Sequence, residues 1–202
     1  ILLGLVGSEM CIRDRDSVES ITLEDGLAEI VLADDSQYNS SEHNRNILVT
    51  GSCGLCGRSE LHDHQLVKSN HIFSQKQIHD MHAMAMQQQQ MFTETGGTHG
   101  AAAFNSKGDM IGCEEDVGRH NAMDKLTGHL LSESLEPSVC ILAGRVSYEL
   151  VQKAIRSGYC ILSAVGSATT LAIQVAREHD LTLISFTRGD RMTVLSAPRR
   201  VY

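Results

Sequence analysis

The chain of 202 residues is 42% hydrophobic and 21% charged, enough for one packed core with at most a small appended part. Its formal net charge of -8 excludes a general polyanion binder, whose affinity for a phosphate backbone needs clustered Lys and Arg, so no nucleic-acid partner is expected. Its 6 cysteines are scattered along a long chain with no secretory signal and cleavage site ahead of them, so a reducing, cytoplasmic setting fits better than a disulfide framework.

At the start, the apolar stretch Ile1 to Gly7 is far shorter than the roughly 20 residues that span a bilayer, and no membrane anchor is expected. Glu9 to Arg15 (EMCIRDR) reads as the in-frame translation of a transposon end left by library preparation, which assigns residues 1–15 to a non-native scar; the alternative is a genuine first strand. Next, Ser20 to Asp35 alternates apolar and polar residues around Asp25-Gly26, the pattern of a β-hairpin at a sheet edge. SQYNSSEHNRN breaks all periodicity. Ile47 to Thr50 (ILVT) then leads into GSCGLCGR, so Cys53 and Cys56 end a short strand in a glycine-rich, mobile loop over residues 51–64.

Beyond it, SQKQIHDMHAMAMQQQQMFTET sets Ile78, Met81, Ala85, Gln88 and Phe92 at helical spacing, with Ser74 as cap; the methionine stripe reads as packing. TGGTHGAAAF places His99 at the opening of a small-residue helix. Asp116, Arg119, His120, Asn121, Asp124 and Lys125 gather at a strand-to-helix junction, a density of donors and acceptors that favours binding or catalysis. The last third holds a near-repeat: VCILAGR and VSYELVQKAIRSG, then YCILSAVGSATT and TLAIQVAREHD, closed by LTLISFTRGDR. Apolar runs alternating with amphipathic helices over short connections are parallel crossovers covered on both faces, and the fold class is α/β.

In such sheets ligands sit beyond the carboxyl ends of the strands, at Gly144-Arg145, Gly166 to Thr169 and Phe186 to Arg191. Gly166-Ser167 is expected to open a helix whose amides hold phosphate, with Arg145, Arg188 and Arg191 supplying forked donors to a nucleotide or pterin phosphate. The competing reading is of ordinary caps and surface arginines.

The cysteine pair admits several chemistries. A structural zinc site wants a second Cys-x-x-Cys or two well-spaced histidines; His62 and His64 are off the usual spacing, and no metal is expected. A deaminase zinc site needs His-x-Glu ahead of Pro-Cys-x-x-Cys, whereas here the order is reversed and Gly100-Ala101 follows His99. Dithiol redox chemistry favours a cysteine at a helix N-terminus, which Gly54 and Gly57 oppose. A thiolate in a flexible loop suits carriage of sulfur between two partners.

GSCGLCG, TGGTHGAAAF, EEDVGRHNAMDK, AGRVSYELVQKA and LISFTRGDRM, in this order from about Asp25 to the end, resemble the formate dehydrogenase accessory sulfurtransferase family. The resemblance implies a cytidine deaminase-like α/β core without its zinc, residues 65–202 forming the cofactor-binding domain and residues 16–50 the remnant of a longer N-terminal β region. It implies a homodimer that takes sulfur as a persulfide from a cysteine desulfurase. The sulfur passes to the molybdenum or tungsten bis-molybdopterin guanine dinucleotide cofactor that formate dehydrogenase requires. By motif, Cys53 carries the persulfide and Cys56 assists; Phe186, Thr187, Arg188, Gly189, Asp190 and Arg191, with Arg145 and Ser167, hold the guanine dinucleotide cofactor. Ala143, where the family commonly has serine, and the GSATT loop depart from the pattern. The alternative is a cofactor-binding chaperone whose cysteine pair is structural or redox-active.

Overall fold

The computed structural model describes residues 18–24, 27–32, 66–67 and 69–202. The suspected scar at 1–15 and the cysteine loop at 51–64 lie outside the described residues. The strands of the expected hairpin are β1 (Val18–Glu24) and β2 (Leu27–Leu32), which pair antiparallel in register Glu24↔Leu27 to Ser20↔Val31. They form a two-stranded sheet of their own.

Ser74 starts α1 (Gln75–Gln88) with a capping box: its hydroxyl accepts from the Gln77 amide while the Gln77 side chain returns to the Ser74 amide. Ile78, Met81 and Ala85 are buried as their spacing predicts, but the expected single helix breaks at Gln89, and Gln88 and Phe92 are exposed. Gln89 turns inward instead, its side chain lying where a Cβ on Gly100 would stand and its amide donating to the Ala85 carbonyl at 3.1 Å. A second helix, α2 (Gln90–Thr95), starts there. Glu115 supplies its missing cap, accepting from the Met91 and Phe92 amides at 2.9 and 2.8 Å. Burial pushes the Glu115 carboxyl up, but the Thr98 hydroxyl and these amides outweigh it and hold the group below the ordinary carboxylate range.

His99 does not open a helix. His99–Phe104 is β3, a central strand antiparallel to both β4 (Met110–Asp116) and β5 (Val139–Leu142). Alanine favours helix in isolation, but Ala101 and Ala103 face one core while Ala102 and Phe104 face the other, and small side chains let α1 and α3 (Arg119–Ser132) pack close on the two faces. Tertiary packing decides this strand.

The near-repeat folds as expected. β5, α4 (Tyr148–Arg156), β6 (Ile161–Ala164), α5 (Thr170–Glu178) and β7 (Thr182–Arg188) make two parallel crossovers. β8 (Arg191–Ser196) returns antiparallel, giving a 6-stranded sheet in the order β4-β3-β5-β6-β7-β8. Helices α3, α4 and α5 share the core over Leu142, Leu162 and Leu183; α1 covers Val139, Ile141, Ile161 and Ile184 on the other face. After a 3-10 turn at Pro198–Arg200, the chain bonds back to the segment before α1: the Phe73 amide donates to the Arg200 carbonyl at 3.0 Å and Gln75 to that of Tyr202 at 2.8 Å. Arg200, wholly buried, donates to the Ser69 and Asp180 carbonyls and to the Asp180 carboxylate. No helix among the described residues is long and apolar enough to cross a membrane.

Candidate functional site at one sheet edge

Because α4 and α5 follow parallel strands, their N-termini open at the carboxyl ends of β5 and β6. The antiparallel β3 starts there too: Ala101 lies opposite Leu142, and the Ala143 amide donates to the Gly100 carbonyl at 2.9 Å. His99 in turn lies opposite Asp116, where β4 ends and α3 begins, so three helix N-termini point to one edge. Aligned amides make such an edge electropositive.

Two loops interlock at its centre. The Gly166 amide donates to the Gly144 carbonyl at 3.1 Å, and Val146 donates to Ser167 at 2.9 Å. A Cβ on Gly166 would lie 2.7 Å from the Gly144 oxygen and 2.9 Å from the Arg145 Cα, so only glycine fits this approach. The predicted role of Gly166-Ser167 needs correction. They do not open a helix; α5 begins at Thr170, and its cap is Thr169, whose hydroxyl accepts from the Ala172 amide at 3.2 Å. The two residues are instead tied up in this loop pairing, leaving Ser167 exposed.

Gly144 also makes room for side chains: a Cβ there would stand 3.2 Å from His99 Nδ1 and 3.7 Å from Arg119 Cδ. Arg119 begins α3, whose N-cap Gly118 offers no side chain to the free amides. Its Nε is buried with no hydrogen-bond partner among the described residues, an uncommon state for a guanidinium. His120 Nε2 lies 3.0 Å from the Ser147 hydroxyl and 3.1 Å from Glu149. Asp116 braces the junction. It bonds Lys125 at 2.6 Å and accepts from the Gly118 amide and the Asn121 side chain, and the Lys125 ammonium chiefly holds its carboxyl below the usual range.

The third wall is the β7–β8 tip. The expected loop from Phe186 to Arg191 is a strand hairpin in which Arg188 pairs with Arg191 around Gly189 and Asp190. Phe186 is in the left-handed region at φ 57, a costly place for a side chain with a Cβ. That twist breaks the register between Ser185 and Arg188 and turns the Phe186 ring outward, 52% exposed. The Phe186 amide reaches the Gly166 carbonyl at 3.3 Å, joining the tip to the interlocked loops. Thr187 points inward, where its hydroxyl meets Ser163 at 3.2 Å, and Ser163 meets His82 Nε2 at 2.8 Å.

Arg145, Ser167 and Phe186 to Arg191, the residues expected to hold a cofactor, therefore share one edge, and all but Thr187 are exposed. Cys53 and Cys56 lie outside the described residues. Arg119 and His99 join the same edge; the sequence flagged their segments, but the contact through Gly144 came only with the fold. His82 was missed because its helix reads as methionine packing. A cavity of about 490 Å³ lies elsewhere, lined by Ser138, Thr127 and Gly158 where β5 and β6 begin, and it touches none of these groups.

An edge with exposed guanidinium groups at Arg145, Arg188 and Arg191, helix amides and a buried unpaired Arg119 Nε suits an elongated, multiply charged anion. One solved structure agrees in fold. A crystal structure of a formate dehydrogenase accessory protein from Desulfotalea psychrophila superposes with a TM-score of 0.74 at 21% identity, over 99% of this chain and 77% of that one. The sulfur carrier protein FdhD of Sulfurisphaera tokodaii is 35% identical over 100% of this chain and 79% of its own length. That of Picrophilus torridus is 39% identical over 78% of this chain and 63% of its own length. The family model for FdhD/NarQ matches residues 1–202, and with this match the chain belongs to the FdhD/NarQ family.

Proposed function

We propose that this protein is a sulfur carrier serving formate dehydrogenase, with Cys53 loaded by a cysteine desulfurase and the molybdenum or tungsten bis-molybdopterin guanine dinucleotide cofactor as its sulfur acceptor. The observation that carries the reading is the anion seat, together with relatives bearing the name sulfur carrier protein FdhD. The phosphates of a dinucleotide match the guanidinium groups of Arg145, Arg188 and Arg191 and the open amides at the start of α3, while the exposed Phe186 ring offers a stacking face for guanine.

The chemistry balances within the two cysteines. The Cys53 thiolate attacks the outer sulfur of the desulfurase persulfide, and the desulfurase cysteine leaves as thiolate. Delivery as sulfide then needs two electrons. Attack of Cys56 on the Cys53 sulfur supplies them, releasing sulfide to the acceptor and leaving a Cys53–Cys56 disulfide that a cellular thiol reduces. The seat holds the acceptor that receives this sulfide, in a homodimer working in the cytoplasm.

The test is mass spectrometry of the Cys53 peptide after incubation with a cysteine desulfurase and cysteine, beside Cys53→Ala. One added sulfur on Cys53, absent in the variant, supports the carrier. No added sulfur in folded, metal-free protein leaves a cofactor-binding chaperone, and bound zinc points to a structural site.

A further inference from the structure

We propose that His82, acting through Ser163 and Thr187, is a positioning residue that sets the shape of the β7–β8 tip. This rests on the reading of that tip as part of the anion seat. The three side chains form a continuous line from α1 across the face of the sheet to the tip, at 2.8 Å from His82 Nε2 to Ser163 and 3.2 Å from Ser163 to Thr187. Ser163 is wholly buried and Thr187 is 4% exposed.

The surroundings make this line costly unless it does something. The α1 face of the sheet is lined chiefly by apolar side chains, among them Phe104, Val139, Ile141, Ile161 and Ile184, and valine at positions 163 and 187 would fill it without burying hydroxyl groups. Burial, with a smaller push from His79, lowers the His82 pKa to about 4, so the imidazole is neutral near pH 7 and has a nitrogen free to accept. Thr187 reaches the line only because Phe186 takes its left-handed conformation and breaks the alternation of β7. The hydroxyl line and the Phe186 bond to Gly166 are what hold that unfavourable twist. Released from Ser163, Thr187 has no reason to stay inside, and β7 relaxes toward regular alternation. Phe186 then swings inward and Arg188 leaves the edge.

Two independent readings test this on the whole chain. Trypsin under native conditions cuts after Arg188 and Arg191 in proportion to the open population of the tip, and calorimetry gives the affinity for guanosine diphosphate. Thr187→Val and His82→Leu are expected to raise tip cutting and weaken the nucleotide each by about fivefold, the loss of about one net hydrogen bond. Thr187→Ser, which restores the hydroxyl, is expected to return both to within about twofold of wild type. Ser185→Ala is the control, since the Ser185 hydroxyl is buried with no partner among the described residues; it should leave both readings unchanged. Unchanged tip cutting in folded Thr187→Val and His82→Leu overturns the positioning role, whatever the nucleotide does. Failure of Thr187→Ser to rescue overturns it as well, because packing and not the hydroxyl would then be at stake. Faster tip cutting in a protein whose wild type binds no guanosine diphosphate upholds the positioning of the tip and refutes the nucleotide seat.

Discussion

Gly166→Ala tests whether the loop junction holds the edge together. The added methyl meets three backbone atoms, the Gly144 oxygen at 2.7 Å and the Arg145 Cα and nitrogen at 2.9 Å, none of which can rotate aside. Overpacking of this kind costs about 1–3 kcal/mol. Separating the loops also strains the Gly166 to Gly144 and Phe186 to Gly166 hydrogen bonds, each worth about 1 kcal/mol net. Loss of chain freedom in the unfolded state returns about 0.4–1 kcal/mol, leaving a destabilisation of about 2–4 kcal/mol. With a urea slope of roughly 1–3 kcal/mol per molar, the midpoint should fall by about 1–2 M. Gly97→Ala is the matched control, because a Cβ there meets only the Thr95 hydroxyl at 3.6 Å and its carbonyl at 3.9 Å. A Gly166→Ala midpoint no lower than that of Gly97→Ala refutes the junction.

Three further outcomes follow from the packing. Arg200→Met should destabilise by about 3–5 kcal/mol in urea unfolding, since it strips a buried cation from the Ser69 and Asp180 carbonyls and from Thr182; a change under about 1 kcal/mol would show that water fills the role. Glu115→Gln should speed hydrogen exchange at the Met91 and Phe92 amides, by a cost of about 1–2 kcal/mol, while the first turn of α1, capped by Ser74, stays protected. His82 binds its proton in the unfolded chain near pH 6.5 but in the native one only near 4. The unfolded state therefore takes up protons first as pH falls, and stability drops across that window, by about 2 kcal/mol between pH 7.5 and 5. His82→Gln should remove that share of the acid sensitivity, and parallel pH profiles for variant and wild type would contradict it.

The crossovers were legible because each apolar run is long enough to name a doubly covered strand and each helix carries its own stripe, as in VCIL with YELVQKAIR. The capped start of α1 was equally local. What escaped the sequence depends on distant partners. HGAAAF has helical propensity and no alternation, and only its place between β4 and β5 makes it a strand. The break at Gln89 answers to Glu115, 23 and 24 positions beyond the two amides it caps. The edge residues around Arg145 and Arg188 were found from strand ends alone. The Phe186 twist and the His82 contact with Ser163, 81 positions away, leave no periodic trace, because a single positive φ and a long-range hydroxyl carry no pattern.

Arg200 also bears on the order of events during synthesis. It joins Ser69 across 131 positions, so this lock on the segment ahead of α1 waits until the ribosome has made almost the whole described domain, whereas the His71 bond to Ser138 and the Val67 bond to His179 need only earlier residues. The two crossovers are local and can assemble early; the Ser69 and Phe73 anchor is the highest contact-order step and comes last. A chain lacking residues 198–202 keeps the packing of Ile78, Met81 and Ala85 on Phe104, Ile141 and Ile161 but loses the bonds that hold Ser69, Phe73 and Gln75 at the entry to α1. Firm seating of the entry to α1, and with it of His82 beneath the tip, is then a late event in the folding of the described domain.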